Sequence, residues 1–141
     1  MQPSKKANVL LWTAQVLLAL VFLFAGGLKL AMPLAALAKV APLPAWFLKC
    51  IGAAEATGAI GLILPWALRI RPELTPIAAA GLVIIMAGAT VVSLAIGPVA
   101  PALVPAVVGI LAAFVAHGRW RQAPSRRPAQ RFALQPVRVG L

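Results

Sequence analysis

The chain has 141 residues, of which 62% are hydrophobic and 11% charged, and a mean hydropathy of +0.98. Soluble domains carry about a quarter charged residues, so a water-facing globule is excluded and lipid is the expected solvent. The net charge of +11 sets 13 lysines and arginines against two acids, Glu55 and Glu73. These cations flank apolar segments, which matches anionic lipid and no nucleic acid. Cys50 is the only cysteine, so no disulfide framework exists.

Residues 9–28 form the first apolar run, uncharged throughout and preceded by Lys5 and Lys6. The run exceeds the roughly 7–15 residues of a signal-peptide core and meets Lys29 directly, so it reads as an uncleaved first span over about residues 9–30. Between residues 32 and 44, Pro33, Pro42 and Pro44 interrupt any spanning helix. "LAALAKVA" there reads as a short interfacial segment, followed by Trp46, Phe47 and Lys49 as a headgroup-level anchor.

The second span, about 47–68, holds Glu55 as its only acid and ends near Pro65 and Trp66. "RIRPEL" is a polar hinge. No charge follows from Leu74 to Ala116, a stretch too long for one helix across about 30 Å of hydrocarbon. "GPVAPALVP" divides it: a glycine closes a helix well and a proline opens one at little cost. Spans at 74–96 and about 101–117 result. From Gly118 onward, six arginines, three prolines and no acid read as a basic disordered tail, residues 119–141.

The fold expected is therefore an all-α membrane protein, with four transmembrane helices in a compact bundle and a short interfacial segment between the first two. Residues 1–8 precede the membrane domain, residues 9–118 form it, and the tail follows. Lys5, Lys6, Arg69, Arg71 and the tail arginines fall on one side, and the positive-inside rule makes that side cytoplasmic, with both termini.

Helices in lipid associate through small residues and buried polar groups. Gly26, Gly52, Gly58 and Gly88 are the expected helix-packing positions. Gln15, Phe22, Gly26 and Lys29 share one face of the first helix by their spacing. Glu55 carries the sharpest question, since a charge at the centre of a span costs roughly 2.5–3.5 kcal/mol on insertion scales. Counted from Cys50, it lies about 8 Å inside the outer boundary. Side chains lean toward the N-terminus of their own helix. In antiparallel neighbours, Lys29 and Glu55 then lean toward each other, which makes an intramembrane Lys29–Glu55 pair the candidate ligand site. The alternatives at this point are a lysine reaching the headgroups, a protonated glutamate acting as structural glue, and a purely structural pair.

Gln15, Thr57, Thr90 and Ser93 are candidates for the lining of a polar pocket with that pair. His117 is the only histidine and Cys50 the only thiol, so no metal site is expected. No nucleophile elbow or phosphate loop marks catalytic residues. An independent enzyme is the weakest reading.

"LLALVFLFAGGLKL", "IGAAEATGAIGLILP" and "LTPIAAAGLVIIMAGA" together resemble the DoxX-like family of small bacterial integral membrane proteins, through Phe22, Gly26, Lys29 and the glycine-flanked Glu55. The resemblance spans residues 9–118. It implies a four-helix protein of the bacterial cytoplasmic membrane. It also implies association with redox systems, the family's name coming from a small subunit of an archaeal thiosulfate:quinone oxidoreductase. Members often carry a histidine late in the third span, where Ser93 stands here; this weakens any histidine-dependent chemistry. The first functional expectation is a non-catalytic accessory or assembly subunit of a quinone-linked complex, partnered by other membrane subunits or by copies of itself. The second is a binding protein for a quinone, a lipid or a proton-coupled solute, using Lys29 and Glu55.

Overall fold

A computed structural model describes residues 5–122. They form five helices, α1 (Lys5–Ala31), α2 (Leu34–Leu37), α3 (Ala45–Ala67), α4 (Leu74–Ile96) and α5 (Val99–Gln122). The four long ones are each apolar and long enough to cross a membrane. The helical choice follows from the solvent, because a helix satisfies its own backbone groups where no water is available to do so.

Prolines set most of the boundaries. α1 contains none and runs for 27 residues, about 40 Å at 1.5 Å per residue, some 10 Å more than the hydrocarbon thickness. It stops just before Pro33, whose extended backbone (φ −61°, ψ 148°) opens the single turn of α2. Pro44 is likewise extended, and its carbonyl accepts the amides of Phe47 and Leu48, so α3 begins at Ala45, earlier than the Trp46–Phe47 anchor suggests. Pro65 falls late in α3 and leaves only its last turn to follow. In the α3–α4 turn, Arg69 (φ 55°) and Arg71 (φ 47°) adopt a left-handed backbone that glycine would take without steric cost.

α4 has the bounds read from the sequence, and Gly97 closes it in an extended conformation. α5 starts at Val99 and tolerates Pro105 in its interior. It then continues to Gln122, so residues 119–122 are helix and not the beginning of the tail. The reason is Arg119, which is fully buried and holds the last turn against the bundle. The remainder of the expected tail, residues 123–141, and residues 1–4 lie outside the described residues.

α1 packs on α3 and α4 on α5, and the two pairs join side by side through α3–α4 and, less extensively, α1–α5. Consecutive long helices run antiparallel. One end of the bundle, here the basic end, carries Lys5, Lys6, Arg69, Arg71, Arg119 and Arg121; the other, the distal end, carries α2 and Lys49. Leu18, Phe22, Leu62, Leu82, Met86 and Val115 fill the centre with small alanines between them. Large apolar side chains face outward instead: Phe24 is 74% exposed and Ile84 73%. On a water-soluble monomer such a surface would be an aggregation hazard; around a membrane bundle it is the lipid-facing belt.

The tightest helix contact is between α1 and α3. A Cβ added at Gly26 would stand 2.6 Å from the Gly52 carbonyl oxygen and 2.9 Å from the Ala56 amide nitrogen. One added at Gly52 would meet Lys29 Cβ at 2.8 Å and the Gly26 carbonyl oxygen at 3.0 Å. Two backbones touch here, and neither can yield as a flexible side chain would. Gly26→Ala is therefore expected to lower stability by about 1–3 kcal/mol, the usual cost of overpacking. Gly27, with open space around it, serves as the control: Gly27→Ala should be neutral or gain up to about 1 kcal/mol of helix propensity. Thermal unfolding of both variants in the same detergent checks the pair.

Candidate functional site

Lys29 and Glu55 each follow a crossing glycine by one helical turn, Gly26 on α1 and Gly52 on α3. Because the helices are antiparallel, the two Cα atoms sit on opposite sides of the crossing. Each side chain leans back toward its own N-terminus, so both converge on the level of the glycines. The result is an ion pair with Lys29 Nζ donating to Glu55 Oε2 at 2.6 Å. The carboxylate side chain is 3% exposed and the lysine side chain 26%. Glu55 lies about 15 Å along α3 from Ala45 at 1.5 Å per residue, near the middle of the helix. Nearby, Lys49 Nζ donates to the Leu30 carbonyl at the end of α1, satisfying an acceptor the helix cannot pair internally.

The pair lines a cavity of about 610 Å³ between the helices. Phe22, Phe47, Ile51, Ile85 and Val108 contribute to its walls, and Val40, Ala41 and Leu43 of the α2–α3 segment line part of it. Gly88, Ala89 and Ser93 on α4 leave the room: a Cβ at Gly88 would touch nothing within 4 Å. Gly88 thus forms cavity wall and not a helix contact. Gly58 does pack closely, with Leu82 against it.

Of the four residues considered for the pocket, only Ser93 lines this cavity. Thr90 donates back to the Met86 carbonyl, one turn earlier in α4. Thr57 is exposed, donates to the Ala53 carbonyl, and borders a separate shallow groove between α3 and α4. Gln15 is fully buried, but toward the basic end. Its Nε2 donates to the Leu62 carbonyl on α3, and its Oε1 accepts from Arg119 Nε on α5. One amide therefore links three helices.

Arg119 is the residue that sequence reasoning missed. It is 0% exposed, its Nη1 donates to Asn8 Oδ1 and Gln122 Oε1, and its guanidinium lies 4.3 Å from the Trp66 ring centre and 5.3 Å from that of Trp12. A basic run after an apolar segment reads as a topology signal, which hides a buried member. The available hint is spacing: Ala112, Val115 and Arg119 fall at helical intervals of three and four on the buried face of α5.

No group of three or more His, Cys, Asp or Glu positioned to hold a metal ion occurs among the described residues. No curated protein and no solved structure matches the chain. The sequence profile described as the DoxX-like family matches residues 13–115, from the third turn of α1 through most of α5. With four apolar helices crossing as described and a match over most of its length, this membrane protein belongs to the DoxX-like family.

Proposed function

We propose that the protein binds an uncharged, lipid-soluble molecule with a hydrogen-bond-accepting head, a quinone being the candidate, with the head at Lys29 and the apolar body in the cavity. The observation that carries this reading is an ion pair set into a cavity of about 610 Å³ whose lining is apolar apart from the pair and Ser93. That size and lining are typical of small-molecule sites, which combine apolar walls with a few placed polar groups. The pair is neutral as a whole, so a charged guest would arrive without a counter-charge in a medium of low dielectric. An ammonium has three donors and Glu55 takes one, leaving others for a carbonyl or hydroxyl. The membrane supplies such ligands from its own interior, where the cavity lies.

The orientation that goes with this reading places the basic end in the cytoplasm. Lys5, Lys6, Arg69, Arg71 and Arg121 crowd that end, and the distal segments carry only Lys39 and Lys49. In a bacterial cytoplasmic membrane, the cavity then lies in the outer half of the bilayer.

A second reading, a non-catalytic subunit of a larger membrane assembly, is favoured by the groove between α3 and α4. Ala53, Ala54, Gly58, Gly61 and Gly81 border it, and small residues of this kind admit a neighbouring helix closely. Purification in mild detergent with stoichiometric membrane partners would support this reading. A lone monomer from native membranes would remove it.

Two experiments test the ligand reading. The first uses a short-tailed benzoquinone as probe, read by thermal shift and tryptophan quenching. Lys29→Met should weaken binding about tenfold or more, the equivalent of one charge-assisted hydrogen bond. Gly88→Leu should abolish binding by filling the cavity, with thermal stability kept or raised because open space receives the side chain. Unchanged quinone binding in Gly88→Leu would place the ligand elsewhere. The second separates binding from structure. Replacing both charged partners, Lys29→Met with Glu55→Leu, should leave stability within about 1–2 kcal/mol of wild type, since apolar substitutes for a buried pair are often neutral. Lys29→Met alone, which strands a buried carboxylate, should cost more, on the order of 3 kcal/mol.

A further inference from the structure

At the basic end of the bundle, where Glu73 precedes α4 and has contacts of its own, the described contacts of Arg119 are all with uncharged groups. Arg119 cannot shed its charge at any physiological pH, and its side chain is completely buried. Its hydrogen-bond partners are three amide oxygens, from Gln15, Asn8 and Gln122, and its other neighbours are the rings of Trp12 and Trp66. No carboxylate stands among them. Glu55, one of the chain's two acids, is committed to Lys29 in the distal half. Moreover, Arg119 Nη2 is buried with no hydrogen-bond partner. Buried donors are almost always satisfied, and a charged one left over marks an interaction still to be made.

We propose that Arg119 anchors a second, independent site at the basic end, which takes a phosphate group. The guanidinium presents a planar fork of donors suited to phosphate oxygens, and the orphaned Nη2 supplies the free arm of that fork. Access is short. Trp12, Trp66, Asn8 and Gln122 are only half-buried, so the guanidinium lies one side chain beneath the surface. Gln122 sits on the last described turn of α5, where releasing one amide contact opens the Nη1 side. Exposed Lys5, Lys6 and Arg121 lie at the same end and draw anions toward it. Thr75, in the first turn of α4 at this end, is also fully buried with an unpartnered hydroxyl. The profile match covers residues 13–115, so it includes Gln15, Trp66 and Thr75 but not Asn8, Trp12, Arg119 or Gln122. The phosphate can come from an acidic phospholipid headgroup or from a free phosphate in the adjoining water.

Full-length protein in a neutral detergent is titrated with dioleoylphosphatidylglycerol, with dioleoylphosphatidylcholine, and with inorganic phosphate against chloride at equal ionic strength. Trp12 and Trp66 flank the guanidinium, so their fluorescence reports occupancy alongside the melting temperature. Phosphatidylglycerol should raise the melting temperature by about 3–5 °C over phosphatidylcholine, as expected for a ligand well above its dissociation constant. A response to lipid but not to inorganic phosphate identifies the headgroup as the source, and a response to both identifies phosphate in general. Arg119→Lys, which keeps the charge and loses the fork, should weaken the response about tenfold. Arg121→Gln, an exposed neighbour, should retain it. Arg119→Gln should abolish it where that variant folds. Failure of wild-type protein to respond to either phosphate source beyond its control overturns the proposal, as does an undiminished response in Arg119→Lys. A carboxylate such as oleate giving the same response as phosphatidylglycerol would also overturn it.

Discussion

The contact of two backbones at Gly26 and Gly52 is the constraint from which the distal half of the molecule follows. In lipid, ordinary apolar side chains gain little by leaving the solvent for each other, so helix association needs closeness or polar links. This crossing supplies closeness, with a carbonyl oxygen where any other residue's Cβ would stand. It also fixes the polar link, because Lys29 and Glu55 are each one turn past their glycine. A wider crossing would part the ammonium from the carboxylate and strand both charges in a medium that solvates neither. The glycines and the ion pair are therefore one device.

The bundle closes differently at its two ends. Toward the basic end, Gln15 joins α1, α3 and α5 through a carbonyl and a guanidinium. In the distal half, the four helices leave a cavity beside the pair. Both polar centres sit on the same stripe of α1: Gln15 and Lys29 are 14 residues apart, about 21 Å along the axis. Leu18 and Phe22 occupy that stripe between them, and both are buried. The described residues thus put apolar packing between the two polar clusters.

How much of this could be read from residues alone varied with the physics involved. The four spans and the breaks between them were legible because proline, glycine and charge act locally: residues 74–96 come out of the fold with the bounds the charge-free run and "GPVAP" suggest. The approach of Lys29 to Glu55 was legible because antiparallel threading and the lean of helical side chains constrain it without knowledge of packing. Gln15 was placed on the right face of α1 but with the wrong company, since its partners are 47 and 104 residues away. Gly88 looks like a packing position because small residues usually are; that it lines a void depends on what α1 and α5 present opposite. Arg119 was hidden most completely. In a run of arginines, nothing local tells which one turns inward, and the decision lies with Asn8, Trp12 and Trp66 on other helices.

Charge balance gives the two centres different chemical characters. A buried ion pair is weak evidence for stability, because apolar residues of similar volume serve as well or better. Glu55 therefore calls for a reason beyond holding α3 to α1, and a neutral polar spot in an apolar cavity provides one. Arg119 presents the reverse case. With two acids in the whole chain, a counter-charge inside the fold was available to it in principle, yet amides and indoles surround it instead. Neutral partners satisfy part of the guanidinium's hydrogen-bonding capacity and none of its charge. A site neutralised from within can accept only a neutral guest without electrostatic penalty, and one left positive gains from an anion. Under the two proposals, the sorting of ligands between the ends would be set by where the scarce carboxylates stand in the sequence.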